Sequence, residues 1–266
     1  TGTVDVDGEF DATGGFVTFT GAGELIVDST VTSLGTLTND AGKVTYNGAT
    51  SQTIVAGAYY NLKASDAAGT KTLGGAVTVA GALTIDNLVT LAMGAHTLTV
   101  AGASTITGTL DVAGSTLTLD GGSDVNGTIT VTTGTVDANG TFDATGGNVT
   151  FTGAGNLTLS GAVTSLGTLT DATNGTVTYD GTGDQDVVAD SYVNLIVGGG
   201  AGTKTLAGAV TCADAFTTDL GVTVDMNSNT LAVTGASDID GILTVGGSTL
   251  TLTGASVVSG TINVIA

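Results

Sequence analysis

The side chains that do chemistry in proteins are scarce in this chain. Its 266 residues include one histidine, one cysteine, no tryptophan and no arginine. General acid–base and nucleophilic catalysis draw on His, Cys, Lys and buried carboxylates held close together. His96 is replaced by Asn229 at the matching place in a second copy of the sequence, and Cys212 by Val79 in the first. A turn residue facing solvent and a small buried hydrophobe are the roles expected of them, and no catalysis is expected. The carboxylates are the remaining option. Asp5 and Asp11 recur as Asp137 and Asp143, while Asp66, Asp120, Asp124, Asp184, Asp186 and Asp190 fall in expected loops. Paired carboxylates hydrolyse glycosides, but the chain has few basic residues with which to hold an acidic sugar. Hard oxygen ligands also suit calcium. The run Asp120-Gly-Gly-Ser-Asp124 lacks the repeated aspartate pattern of calcium-loaded repeats, so weak Ca2+ association is the most that is expected, with no cofactor.

Charge excludes further classes. Four lysines (Lys43, Lys63, Lys71, Lys204) stand against 24 acidic residues, a formal net charge of −20. Such a surface repels phosphates, so neither nucleic acid nor anionic lipid is an expected partner. No apolar run approaches the ~20 residues of a membrane-spanning helix. An acidic, nearly Cys-free composition is common in exported prokaryotic proteins, and an extracellular or cell-surface location is expected.

The elements that carry these residues follow from repetition. Thr1-Gly-Thr-Val-Asp5 returns at Thr133, an offset of 132, and Gly69-Thr-Lys-Thr-Leu73 returns at Gly202, an offset of 133. The chain therefore divides into copies spanning residues 1–132 and 133–266. Within each copy a period of 19 residues is visible. Leu98, Val100, Ile106, Leu110 and Val112 are followed, 19 residues on, by Leu117, Leu119, Val125, Ile129 and Val131. Spacings of two inside these sets are those of strands with alternate side chains turned inward. Gly102, Gly108 and Gly114 punctuate the runs and are expected to supply positive φ or tight corners. One such coil cannot bury its own inner face, but stacked coils share one aliphatic ladder.

The expectation is an all-β, parallel β-solenoid of about 19–21 residues per coil, right-handed by the general rule for parallel crossovers. About fourteen coils at ~4.8 Å would make a rod roughly 65–70 Å long. Residues 34–61 and 166–194 keep the period poorly, so bulges, longer loops or a departure from the solenoid are expected there.

One set of residues carries a resemblance. Lys43-Val-Thr-Tyr-Asn-Gly48, Gln52, Tyr59-Tyr-Asn-Leu62 and Gly69-Thr-Lys-Thr-Leu73 reappear as Gly175-Thr-Val-Thr-Tyr-Asp-Gly181, Gln185, Tyr192-Val-Asn-Leu195 and Gly202-Thr-Lys-Thr-Leu206. These runs resemble the Gly/Thr-rich β-solenoid repeats of large secreted bacterial surface and adhesin-like proteins. The resemblance implies a fibrous role at a cell surface and supplies no catalytic residues.

The two ends read as ordinary coil segments with no polar cap. Thr1, Gly2, Thr3 and Val4 repeat the sequence that continues the chain after Val131, and Ile262, Val264, Ile265 and Ala266 close it. Unpaired coil edges accept further strands, so head-to-tail stacking of one copy of the protein on another is expected, giving a structural filament. Two alternatives differ in class. As a segment of a longer surface protein, in which the same junctions are intramolecular, the rod could instead display an adhesive surface for cell-surface or matrix polysaccharide, with Tyr59, Tyr60 and Tyr192 as its aromatic patch. Its outward threonines, Thr97 and Thr99 or Thr116 and Thr118, could form an ice-binding ladder.

Overall fold

The structure is a computed structural model that describes residues 2–38, 40–65, 69–171 and 174–265. Thr1, Asp66 and Ala266, three residues singled out above, lie outside the described residues. The chain forms an all-β parallel β-solenoid of about 13 turns with roughly 20 residues per coil. Every strand pairing among the described residues is parallel, and each strand lies on the one a coil earlier. Partners are not evenly spaced along the chain. Thr3 pairs with Glu24, Glu24 with Lys43 and Lys43 with Asn61, steps of 21, 19 and 18 residues. That unevenness, with a mean above 19, is why there are thirteen turns and not fourteen, and it shortens the rod to about 64 Å.

Alternation builds the core. In Leu98–Val100 and Thr116–Leu119 the leucines and valines are buried while the intervening threonines turn outward. Leu98 stacks on Leu117 and Val100 on Leu119, and the aliphatic column continues into Val136 and Ala138 of the second copy. All ten ladder residues from Leu98 to Val131 are at most 1% exposed. Each buried aliphatic side chain contributes about 1.5–3 kcal/mol, but only because the next coil covers it.

The corner glycines serve a different purpose from the one the spacing suggests. Gly102 and Gly108 do not have positive φ. A Cβ at Gly121 would lie 2.2 Å from the carbonyl oxygen of Gly102, and one at Gly140 would lie 2.1 Å from that of Gly121. The corners stack backbone on backbone, so the column has no room for a side chain. At the third corner the residue with φ +52° is Ala113, just before Gly114.

Each coil has three short strands, one per face. Among the described residues the first copy contributes twenty strands, from Thr3–Val6 to Thr128–Val131. The second contributes eighteen, of which Ser191–Val197 and Val210–Thr218 each run round a corner and serve two faces. Both copies therefore fill twenty places at three per coil, which is six and two-thirds coils. Equivalent strands consequently lie on different faces. Thr3–Val6 belongs to the nine-stranded sheet, whereas its counterpart Thr135–Ala138 belongs to the thirteen-stranded one.

Candidate functional site

The apolar ladder is buried where coils stack on both sides of it and exposed in the first and last coils of the described residues. Val131 and Val136, at the junction between the copies, are 0% exposed, while their counterparts Val264 and Val4 are 80% and 59% exposed. Ile265 is 57% exposed, Gly2 and Thr3 are exposed, and Ile262 is half-buried against the core. At the first coil, Val4, Phe10, Val17 and Leu25 line an open cavity of about 450 Å3. Phe16 beside it is 76% exposed. These two faces present an aliphatic and aromatic interior ringed by strands that have a pairing partner on one side only.

The residues carrying the resemblance turn inward. In each copy two tyrosines, a glutamine and a lysine brace the segment where the 19-residue period is weak. Val188 N donates to Tyr179 Oη at 3.3 Å, Tyr179 and Tyr192 share a 3.0 Å hydroxyl bond, and Tyr192 Oη donates to Val188 O at 2.8 Å. The same closed ring joins Val55, Tyr46 and Tyr59. Burial pushes all four phenols up, so they remain neutral hydrogen-bonding groups. Gln185 Nε2 donates to Leu159 O and Gly161 O at 2.8 and 2.7 Å, and its Oε1 accepts from Gly181 N. Lys204 is fully buried, and its Nζ donates to Gly181 O and, at 2.7 Å, to Gly183 O. Lys71 does the same with Gly48 O and Thr50 O. Burial draws the Lys204 ammonium below its ordinary range, while Asp180 and Asp184 oppose that shift.

This arrangement corrects the aromatic-patch expectation, because Tyr59 and Tyr192 are core residues and only Tyr60 reaches the surface. Sequence reasoning missed the two lysines as core residues. Their recurrence within matching Gly-Thr-Lys-Thr-Leu runs was the signal available.

The other candidate residues are dispersed. Cys212 is buried and its thiol is pushed up to about 12 by burial, which leaves it unreactive. His96 is half-buried in a turn, its backbone N–H donating to Met93 O at 3.1 Å. Asp5, Asp7 and Asp28 bring carboxylate oxygens within 4.8 Å of one another, and Asp28 also accepts from Asn47. Asp120 accepts from Asn139 and Asp124 from Asn126. Asp184 accepts from Thr203 N and Asp190 from Ser191 N, and Asp186 is exposed. Outward threonine columns occupy two sheets. Thr78, Thr99, Thr118 and Thr158 are interrupted by Asp137, and Thr53, Thr72, Thr130 and Thr150 by Ala92 and Asp111.

Asp11 and Asp143 recur for a structural reason. Each accepts from the hydroxyl and the backbone N–H of the threonine two residues on, at 2.6 and 2.9 Å. The Thr13 and Thr145 hydroxyls, and then their amides, hold these carboxyls below the usual range. A carboxyl with a lowered folded-state value stabilises the fold above its unfolded value of about 4, and that contribution disappears as pH falls through the folded value. Replacing both with Asn is therefore expected to flatten the fall in thermal midpoint between about pH 4 and pH 2. Differential scanning fluorimetry across that range checks it, and an unchanged slope would refute it.

No protein family, curated protein or solved structure matches the chain.

Proposed function

We propose that the protein is a structural subunit of an extracellular or cell-surface filament, elongated by stacking the last coil of one solenoid against the first coil of the next. The observation that carries this reading is the junction inside the chain, where the last coil of the first copy seats the first coil of the second and Val131 and Val136 are fully buried. Exposed apolar surface together with unpaired strand edges favours association with a like coil. Because the two faces differ, the contact is heterologous and does not close, so it propagates into a fibre. The acidic exterior fits this role, as it keeps parallel rods apart and soluble.

Sedimentation velocity and negative-stain electron microscopy of the purified 266-residue protein, over a range of concentrations, test the proposal. Rods whose lengths are multiples of about 64 Å are expected, given ~4.8 Å per coil. Single rods at every concentration would overturn it.

A further inference from the structure

Charge is not shared equally among the faces of the rod. The outward column of the nine-stranded sheet carries Asp5, Lys63, Asp124 and Asp143. The seven-stranded sheet differs. Six of its strands, from Thr70–Leu73 to Thr168–Asp171, set two outward columns side by side. One is Thr70, Thr90, Thr109, Thr128, Asn148 and Thr168, each directly opposite the next. The other is Thr72, Ala92, Asp111, Thr130, Thr150 and Thr170. Nine of these twelve residues are threonines, and Asp111 is the single charge among them in a chain of net charge −20. Its Oδ1 accepts from the backbone N–H of Ala113 at 3.1 Å, so the carboxylate is engaged by its own strand. Among the described residues only one of the nine hydroxyls, that of Thr128, has a hydrogen-bond partner within the protein, Asn148 Nδ2 at 3.4 Å.

We propose that this face is an ice-binding site, on which the threonine columns hold water ordered as it is at the prism plane of an ice crystal. Three physical arguments select that occupant. Hydroxyls repeat every ~4.8 Å along the rod and, two residues apart on a strand, every ~6.6 Å across it. Both spacings lie close to the oxygen repeats of the prism plane. Ice is uncharged and excludes ions from its lattice, so a face almost without charge suits it where the acidic faces, which hold their own hydration, do not. Threonine is β-branched and has few rotamers, and the coils beneath fix its backbone, so little ordering cost remains to be met on binding. A small molecule is held in a concavity. These columns are instead a surface that repeats in two dimensions, and many weak contacts act together only against something that repeats likewise.

The thirteen-stranded sheet supplies a comparison within the same molecule. Its outward column runs Thr118, Asp137, Thr158, Thr178 and Ile196. Burial, and then the charges of Asp180 and Asp120, push the Asp137 carboxyl up. A group of carboxylates thus interrupts that face, and Ile196 ends its run of hydroxyls. Adsorption to ice on the seven-stranded face requires no contact between one solenoid and another, so it is independent of the filament proposed above.

Ice-affinity partition and nanolitre osmometry of the 266-residue protein test the site. The parent is expected to concentrate in growing ice, to facet the crystals and to show thermal hysteresis. Thr130→Tyr and Thr150→Tyr lie on neighbouring strands in the middle of the face, where tyrosine fits an exposed strand but stands clear of the hydroxyl plane. Each is expected to lower hysteresis about tenfold with an unchanged circular dichroism spectrum, while Thr118→Tyr on the thirteen-stranded sheet leaves it within about twofold. Equal or greater loss from Thr118→Tyr overturns the assignment to this face. A parent protein that is excluded from ice and shows no hysteresis overturns the inference altogether and leaves the filament reading untouched.

Discussion

Lys204→Ala is expected to lower the stability of the fold by about 3–5 kcal/mol, from two buried carbonyls left without a donor at about 1–3 kcal/mol each and the cavity left by the side-chain stem. The Lys204 ammonium occupies the rod interior and donates to Gly181 O and Gly183 O. Alanine leaves both carbonyls without that donor and opens a cavity where the side-chain stem lay. Lys204→Met refills much of the space without restoring a donor, so a smaller loss of about 2–3 kcal/mol is expected. Coils interact mainly with their neighbours, so the damage should be local. Hydrogen exchange should rise across the strands Thr176–Tyr179, Gln185–Val187 and Thr203–Leu206 and spare Thr109–Ala113. Urea unfolding within 1 kcal/mol of the parent would show that the lysine is dispensable.

The second large effect concerns assembly. Val4→Lys is expected to leave the rod folded and to stop its elongation. Val4 is 59% exposed, and substitutions at such positions usually change stability by no more than about 0.5 kcal/mol. Its counterpart Val136 is fully buried, so Val136→Lys places an ammonium in the core with no partner and should cost several kcal/mol. The same chemistry at equivalent positions thus separates folding from stacking. In an assembled filament residue 4 becomes as buried as residue 136, and the cost appears at every junction. Circular dichroism matching the parent, with loss of all species longer than one rod, is the expected pair of results. Filaments forming from Val4→Lys at the parent's critical concentration would argue against the stacking.

Much of this architecture was readable from the chain. A period of two within each run, a period near 19 between runs and a 132–133-residue repeat specify inward ladders, stacked coils and tandem copies, because side-chain direction in a strand is local geometry. Less accessible were the lysines and tyrosines. Gln52 and Gln185 bond carbonyls 23 to 26 residues earlier. Composition reads such residues as surface groups, and only the fold shows which carbonyl oxygens surround them.

Local pattern alone determined that this chain is a parallel solenoid with an aliphatic interior and an acidic exterior. Tertiary structure decided which glycines are needed for backbone contact, which polar side chains are sealed inside, and on which face each repeat begins. The last of these depends on how many strands the irregular segments contribute. A single strand gained or lost there turns everything beyond it by one face, yet leaves the inward and outward alternation of every other strand unchanged.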